Sequence, residues 1–325
     1  VSALLEESDY EVGVRRQREA LLAAVEGPIS DGLAKTDVTE VIVDPDGSVR
    51  YDYLYGTLER QHAQVRPAQL ERVIVSIAGL LRKKIANGLL QGELVLDGSR
   101  VQAWLPPVSP AGPSIVIRKH RKQGVDGWPA LTVEDYSLPT SFRATLEKIV
   151  TERENLLIVG STASGKTTFA GAFLNLISQS YPHDRIVSIE DTAELYCLSE
   201  SKLQLHATDD VSQRDLVKTG MRARPDRLIL GEVRDEAAID MIMGLTTGHA
   251  GFSTVHGGSL DHGLTRVRQL SRMGGEDTVS PEMISDAIQY VLLMRREPSG
   301  PRRVAGIARV LGWRDGRYQL EHIAT

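Results

Sequence analysis

Residues Gly160-Ser161-Thr162-Ala163-Ser164-Gly165-Lys166-Thr167 fit G-x-x-x-x-G-K-[ST], the spacing of a phosphate-binding loop. Glycines let the backbone curl so that its N–H groups face phosphate oxygens. A helix read from Lys166 to about Ser178 sets its positive end on the same phosphates. In such loops the lysine reaches the β- and γ-phosphates and the hydroxyl after it takes Mg²⁺, roles that fall here to Lys166 and Thr167. Thr168 closes the candidate nucleotide-binding run. A chance match in a chain of this length is on the order of one in a hundred. The apolar run Leu156-Leu157-Ile158-Val159 supplies the buried strand that the loop needs in front of it. An unliganded Gly-Ser loop would leave Lys166 without a purpose.

Three further segments carry candidate chemistry. Ile186-Val187-Ser188-Ile189-Glu190-Asp191 puts acids just past a buried strand, at the sheet edge where open α/β folds bind ligands. Glu190 could orient and deprotonate an attacking water, while Asp191 or Thr192 could equally cap a following helix. Leu228-Ile229-Leu230-Gly231-Glu232 resembles a Walker B strand whose usual aspartate is replaced by Gly-Glu. Glu232 could hold Mg²⁺ or its water; the plainer alternative is an ion pair with Arg234. Thr247–Gly257 carries His249 and His256, seven apart, in a polar loop-and-strand segment rich in small residues. After three phosphate-site elements the pair reads as a γ-phosphate sensor. A zinc site is not expected, with one cysteine in the chain and no close third ligand.

The elements that must position these residues follow from the pattern. Short apolar runs at Glu154–Val159, Arg185–Ile189 and Arg227–Leu230 alternate with helical stretches, which predicts a parallel sheet in an α/β domain. Tyr290–Met294, Arg303–Val310 and Tyr318–His322 read as further strands. Ahead of them the order differs. Val14–Val25 reads as a polar-rich helix, and Val38–Val43, Asp44–Gly47 and Ser48–Leu54 as a hairpin. Apolar residues recur at three- and four-residue spacing from Ala68 to Ile85, one face of a helix. Glu93–Leu96, Arg100–Leu105 and Ser114–Arg118 read as strands. The prediction is a smaller α+β domain over residues 1–125, a basic, Gly- and Pro-bearing linker over 126–140, and an α/β domain over 141–325.

Composition narrows the functional classes. The 325 residues are 41% hydrophobic and 25% charged, as in an ordinary globular chain. The net charge of −5 argues against a general nucleic-acid coat, which needs excess cations for phosphates. One cysteine, Cys197, forms no internal disulfide, fits a reducing setting and reads as core filler. No stretch approaches the ~20 apolar residues of a membrane span. Glu6, Glu7 and Asp9 stand where a signal peptide needs positive charge. Any membrane contact is therefore expected to be peripheral.

Taken together, the four segments resemble the ATPases of type II and type IV secretion and of pilus retraction. The resemblance rests on the phosphate-binding loop, an "Asp box" at Ile189-Glu190-Asp191-Thr192-Ala193-Glu194-Leu195, the Gly231-Glu232 pair and a "His box". It extends to Arg222-Ala223-Arg224-Pro225-Asp226-Arg227, Thr39-Glu40-Val41-Ile42-Val43 and Gly98-Ser99-Arg100-Val101. A short N-terminal domain and no zinc-binding tetracysteine motif point to the type IV, conjugative-transfer branch. The resemblance implies a RecA-like P-loop domain preceded by the smaller domain. It also implies a homohexamer that hydrolyses ATP with Mg²⁺, peripheral at the cytoplasmic face of the inner membrane and partnered by other components of a secretion apparatus. Nucleotide is held between the two domains in that family. Arg100 and Arg118 match an arginine pair that reaches the phosphates, and Arg222 and Arg224 match arginines near the subunit boundary.

On this reading Lys166, Glu190, Glu232 and His256 are the catalytic candidates, Thr167 and Glu232 the metal ligands, and His249 joins the nucleotide-binding set. Two alternatives stand beside it. A RecA-like DNA motor would favour aromatic residues for base stacking, and these make up 5% of the chain. A nucleotide-locked structural ring would have no use for residues that activate water.

Overall fold

In a computed structural model of the chain, the four segments hang from one parallel run of strands. The structure describes residues 25, 27–53, 58–94, 99–119, 132–208, 210–274, 279–296 and 302–324. The chain divides into two units, Val1–Arg121 and Lys122–Thr325.

Among the described residues of the first unit, six strands form an antiparallel sheet, with two helices beside them in sequence. The elements are α1 (Pro28–Ala34), β1 (Val38–Val43), β2 (Ser48–Tyr53), β3 (Leu58–Gln64), α2 (Pro67–Leu81), β4 (Leu89–Glu93), β5 (Arg100–Trp104) and β6 (Ser114–Arg118). The sheet order is β3-β2-β1-β6-β5-β4. The expected hairpin is present: β1 and β2 pair antiparallel, and Gly47 at φ 81 makes the turn no side chain adopts readily.

The helix expected to run to Ile85 stops at Leu81. Arg82 turns left-handed at φ 52, and the N–H of Lys83 returns to the Ala78 carbonyl. Ile85 still packs on the core from beyond the helix end, which is why it kept the helical spacing. The strand expected at Glu93–Leu96 lies earlier, at Leu89–Glu93, paired with β5. Strand β3 carries no alternation to read, because almost every residue in it is exposed. The helix expected over Val14–Val25 falls almost wholly outside the described residues, as do His120, Arg121 and Lys122 of the basic run.

Among the described residues, the first element of the second unit is a 3-10 turn at Val133–Tyr136, inside the segment expected as a linker. Val133 is buried and the Tyr136 ring packs edge-on against Phe169, so these two side chains of the stretch pack onto the core while Glu134, Asp135 and Ser137 stay exposed. There follow α3 (Thr140–Thr151), β7 (Leu156–Gly160), α4 (Lys166–Ser180), β8 (Ile186–Glu190), β9 (Lys202–His206), α5 (Gln213–Met221), β10 (Arg227–Leu230) and α6 (Ala237–Thr246). Then come β11 (Ala250–His256), α7 (Leu260–Ser271), α8 (Pro281–Ala287), β12 (Tyr290–Arg296), β13 (Arg302–Arg314) and β14 (Arg317–His322).

The sheet order here is β14-β13-β12-β7-β11-β10-β8-β9. From β12 to β9 all pairings are parallel, while β13 and β14 add an antiparallel flank. Strands β7, β8 and β10 are buried throughout, which fits a sheet with apolar clusters on both faces. Each fully buried Leu, Ile or Val stabilises by about 1.5–3 kcal/mol relative to exposure. Cys197 is one of these core residues. Among the described residues no helix is long and apolar enough to cross a membrane.

Candidate active site

Parallel strands share a carboxyl edge, and the register brings the four segments to it. Gly160, the last residue of β7, lies opposite His256 of β11 on one side and Met294 of β12 on the other. Leu230 of β10 pairs with Ile189 of β8, so Glu190 and Gly231-Glu232 emerge next to each other. The Gly231 N–H donates to the Ile189 carbonyl at 2.9 Å, and the Thr254 hydroxyl donates to the Gly231 carbonyl at 2.7 Å.

The loop from Gly160 to Lys166 is shaped by what cannot be there. A Cβ on Gly160 would strike the Ser164 hydroxyl and lie 2.8 Å from the Met294 carbonyl. Ala163 and Gly165 both have positive φ, 59° and 90°. Gly165 begins α4 with no side chain capping the first-turn N–H groups. The Ser164 Oγ is buried with no hydrogen-bond partner. A helix start with a glycine N-cap, an orphaned buried hydroxyl and a buried ammonium in one turn fit an anion.

Lys166 is 7% exposed; its Nζ donates to the Ser161 carbonyl at 3.0 Å and lies 3.2 Å from His256 Nδ1. An ammonium only donates, so Nδ1 accepts and His256 carries its proton on Nε2. Nε2 lies 2.8 Å from Glu232 Oε1. Burial pulls His256 below its ordinary pKa, Glu232 opposes that, and Lys166 reinforces it. Glu232 Oε2 is held by Arg234 at 2.6 Å, and Arg234 reaches Asp191 at 3.1 Å. The ion pair weighed as the plain alternative for Glu232 is thus present together with the histidine contact. Thr167, half-buried in the first turn of α4, and the Glu232 carboxylate are the hard oxygen donors that suit Mg²⁺.

Glu190 stands apart from this chain of contacts. Its buried carboxylate accepts from the N–H groups of Glu194 and Leu195, at 3.1 and 3.0 Å, and His206 lies 4.0 Å away. It therefore ties down the segment after β8. No helix starts at Asp191 or Thr192, so the cap weighed as an alternative does not form.

Three expected nucleotide contacts within the second unit, His249, Arg222 and Arg224, lie at the other edge of the sheet. His249 precedes β11 and His256 ends it, so about 23 Å of strand separates them. His249 Nδ1 is 3.1 Å from the Gly244 carbonyl, at the opposite, amino edge. There a cleft of about 590 Å³ is lined by Arg153, Glu154, His249, Met283 and Asp286 among others. Arg222 and Arg224 are exposed at the same edge, in the turn before β10. Arg185 braces that turn through the Ala223 carbonyl, 2.8 Å, and the Asp226 carboxylate, 2.8 Å. Arg100 and Arg118 belong to the first unit, where β5 and β6 place them opposite each other; Arg118 is 3.7 Å from Glu40.

Sequence reasoning missed Arg302. Its Nε donates to the Ala163 carbonyl at 3.1 Å from the start of β13. No local motif marks it.

Comparison with known proteins decides the family. The family model for type II/IV secretion system protein matches residues 94–303. The chain belongs to the type II/IV secretion system protein family. Within it, the chain is 33% identical over 315 residues to a probable conjugal transfer protein TrbB of Sinorhizobium fredii, covering 95% of this chain and 93% of that protein. It is 30% identical over 261 residues to VirB11 of Agrobacterium fabrum, covering 68% and 75%. These relatives support the type IV, conjugative-transfer branch of the family. Among solved structures, the ATPase DotB of Yersinia pseudotuberculosis shares the fold, with a TM-score of 0.62 at 16% identity over 95% of this chain and 81% of that one.

Proposed function

We propose that this family member is an ATP hydrolase whose RecA-like second unit powers a type IV secretion or conjugative-transfer apparatus as a homohexamer. The observation that carries the reading is the contact line Lys166–His256–Glu232 at the mouth of a loop shaped for phosphate. On this reading the loop N–H groups and Lys166 bind and orient the phosphate tail. Glu232 orients the attacking water, and His256 fixes the Glu232 carboxylate by a donated hydrogen bond. Mg²⁺, held by Thr167 and Glu232, would supply charge neutralisation at the phosphates. Glu190 contributes by holding the segment after β8. The TrbB and VirB11 relatives support the conjugative setting, and the cytoplasmic face of the inner membrane is where such a motor would sit.

A phosphate-release assay on Lys166→Ala, with intact-particle mass measured with and without ATP and Mg²⁺, tests this. Turnover is expected to vanish in the variant and a sixfold mass to form in the wild type. A variant hydrolysing at the wild-type rate would refute the assignment.

A further inference from the structure

The phosphate-binding loop holds a backbone that an L-residue adopts reluctantly. Ala163 sits at φ 59, and such a conformation persists where its surroundings over-determine it. Inside the turn, Lys166 bonds the Ser161 carbonyl. On Ala163 itself, the Arg302 Nε donates to the carbonyl at 3.1 Å. The stem of the same side chain covers Gly165: a Cβ there would lie 2.7 Å from Arg302 Cδ, 3.3 Å from Cβ and 3.4 Å from Cγ. Arg302 thus contacts both positive-φ residues of the loop.

Its placement follows from the sheet. Met294 of β12 is in register with Gly160, and two residues on, Arg296 is in register with Arg302 at the start of β13. The β12–β13 pairing therefore carries an arginine past the carboxyl edge onto the loop. Arg295 and Arg303 are also opposite each other. Facing like charges on neighbouring strands are unfavourable. A hydrogen bond to the Ala163 carbonyl also gives that oxygen a cationic partner. A carbonyl left without one beside an anion site would repel phosphate oxygens.

We propose that Arg302 is a positioning residue that holds the phosphate-binding loop in its anion-accepting shape before nucleotide arrives. The kinetic part of this inference rests on the ATP-hydrolase reading; the binding part does not. A loop held less of the time in its competent shape weakens apparent affinity by that fraction. Once nucleotide is bound, the phosphates themselves order the loop, so turnover at saturation changes little.

The test uses the full chain with Arg302→Met, which keeps a stem over Gly165 and removes the guanidinium, and Arg302→Lys, which restores a charge and an N–H donor. Calorimetry gives the Kd for ADP with Mg²⁺, and phosphate release gives kcat and KM. In Arg302→Met, Kd and KM are expected to rise about tenfold with kcat within about twofold of wild type. Arg302→Lys is expected to return Kd to within about threefold. Wild-type Kd in a folded Arg302→Met overturns the proposal, and so does a loss of kcat with Kd unchanged. If Arg302→Met does not fold, Arg302→Gln takes its place with the same expected Kd and the same overturning result. A Lys166→Ala protein that hydrolyses normally would end the hydrolase reading alone, because ADP affinity across the Arg302 series is read without turnover.

Discussion

Replacing His256 with Leu separates binding from water positioning at the loop. The substitution removes the acceptor 3.2 Å from Lys166 and the donor 2.8 Å from Glu232. The Lys166 contact is one that phosphate would take over, so its loss has little effect on turnover. The Glu232 contact is the one that orients the carboxylate. A hydrogen bond to a charged group contributes about 1.5–3 kcal/mol where water is excluded. The ring is 48% exposed, which places this bond at the lower end, near 1.5 kcal/mol by the same scale. That corresponds to about tenfold in rate. The assay is steady-state phosphate release beside calorimetric ADP binding. The expected result is kcat reduced about tenfold, with the Kd for ADP within about threefold. His256→Gln, which restores an N–H donor, should recover most of the loss. A His256→Leu protein with kcat within about twofold of wild type would refute the argument, and so would lost ADP affinity with kcat intact.

Two further expectations follow from named contacts. The pKa of His256 lies below its ordinary 6.5, chiefly through burial, so between the two values the unfolded chain binds a proton that the native chain does not. The stability tied to neutral His256 is present above that window and lost as pH falls through it. Urea midpoints at pH 7.5 and 5.5 should therefore fall more for wild type than for His256→Gln, and equal falls would count against the lowered pKa of His256. At the amino edge, Asp184 accepts from buried Arg227 at 2.9 Å and from Arg153 at 2.7 Å. Asp184→Ala leaves the buried guanidinium unpaired and is expected to cost about 3–5 kcal/mol in urea unfolding; the double variant Asp184→Leu, Arg227→Met should cost less than the single one.

The loop and the acids were legible in the sequence because each sits at the end of a short apolar run, and a parallel sheet sends such ends to one edge. Glu232 and His256 came together for that reason. The glycines around the histidines were harder to interpret. Gly251 reads as part of a polar functional loop, yet it lies in a buried strand where a Cβ would fall on the Leu228 carbonyl oxygen, so its smallness serves the β10–β11 approach. Glu190 gave no sign of its partners, since the N–H groups of Glu194 and Leu195 reach it only once the chain turns after β8. Arg302 was invisible because its contact to Ala163 spans 139 positions, and no local pattern encodes register across β12 and β13. The edge strand β3 lacked an apolar face to betray it.

The same parallelism that gathers one set of residues disperses another. A strand has two ends, so the seven-residue interval that puts His256 beside Lys166 commits His249 to the far edge. Arg222 and Arg224 precede β10 as Glu232 follows it, and about 13 Å of strand lies between those turns. The bracing of the arginine turn by Arg185 leaves it little freedom to swing toward its own loop. Any part these three residues play at a phosphate therefore needs the loop of a second copy of the chain. Catalysis would then depend on assembly, and the mass measurement with and without nucleotide bears on both at once.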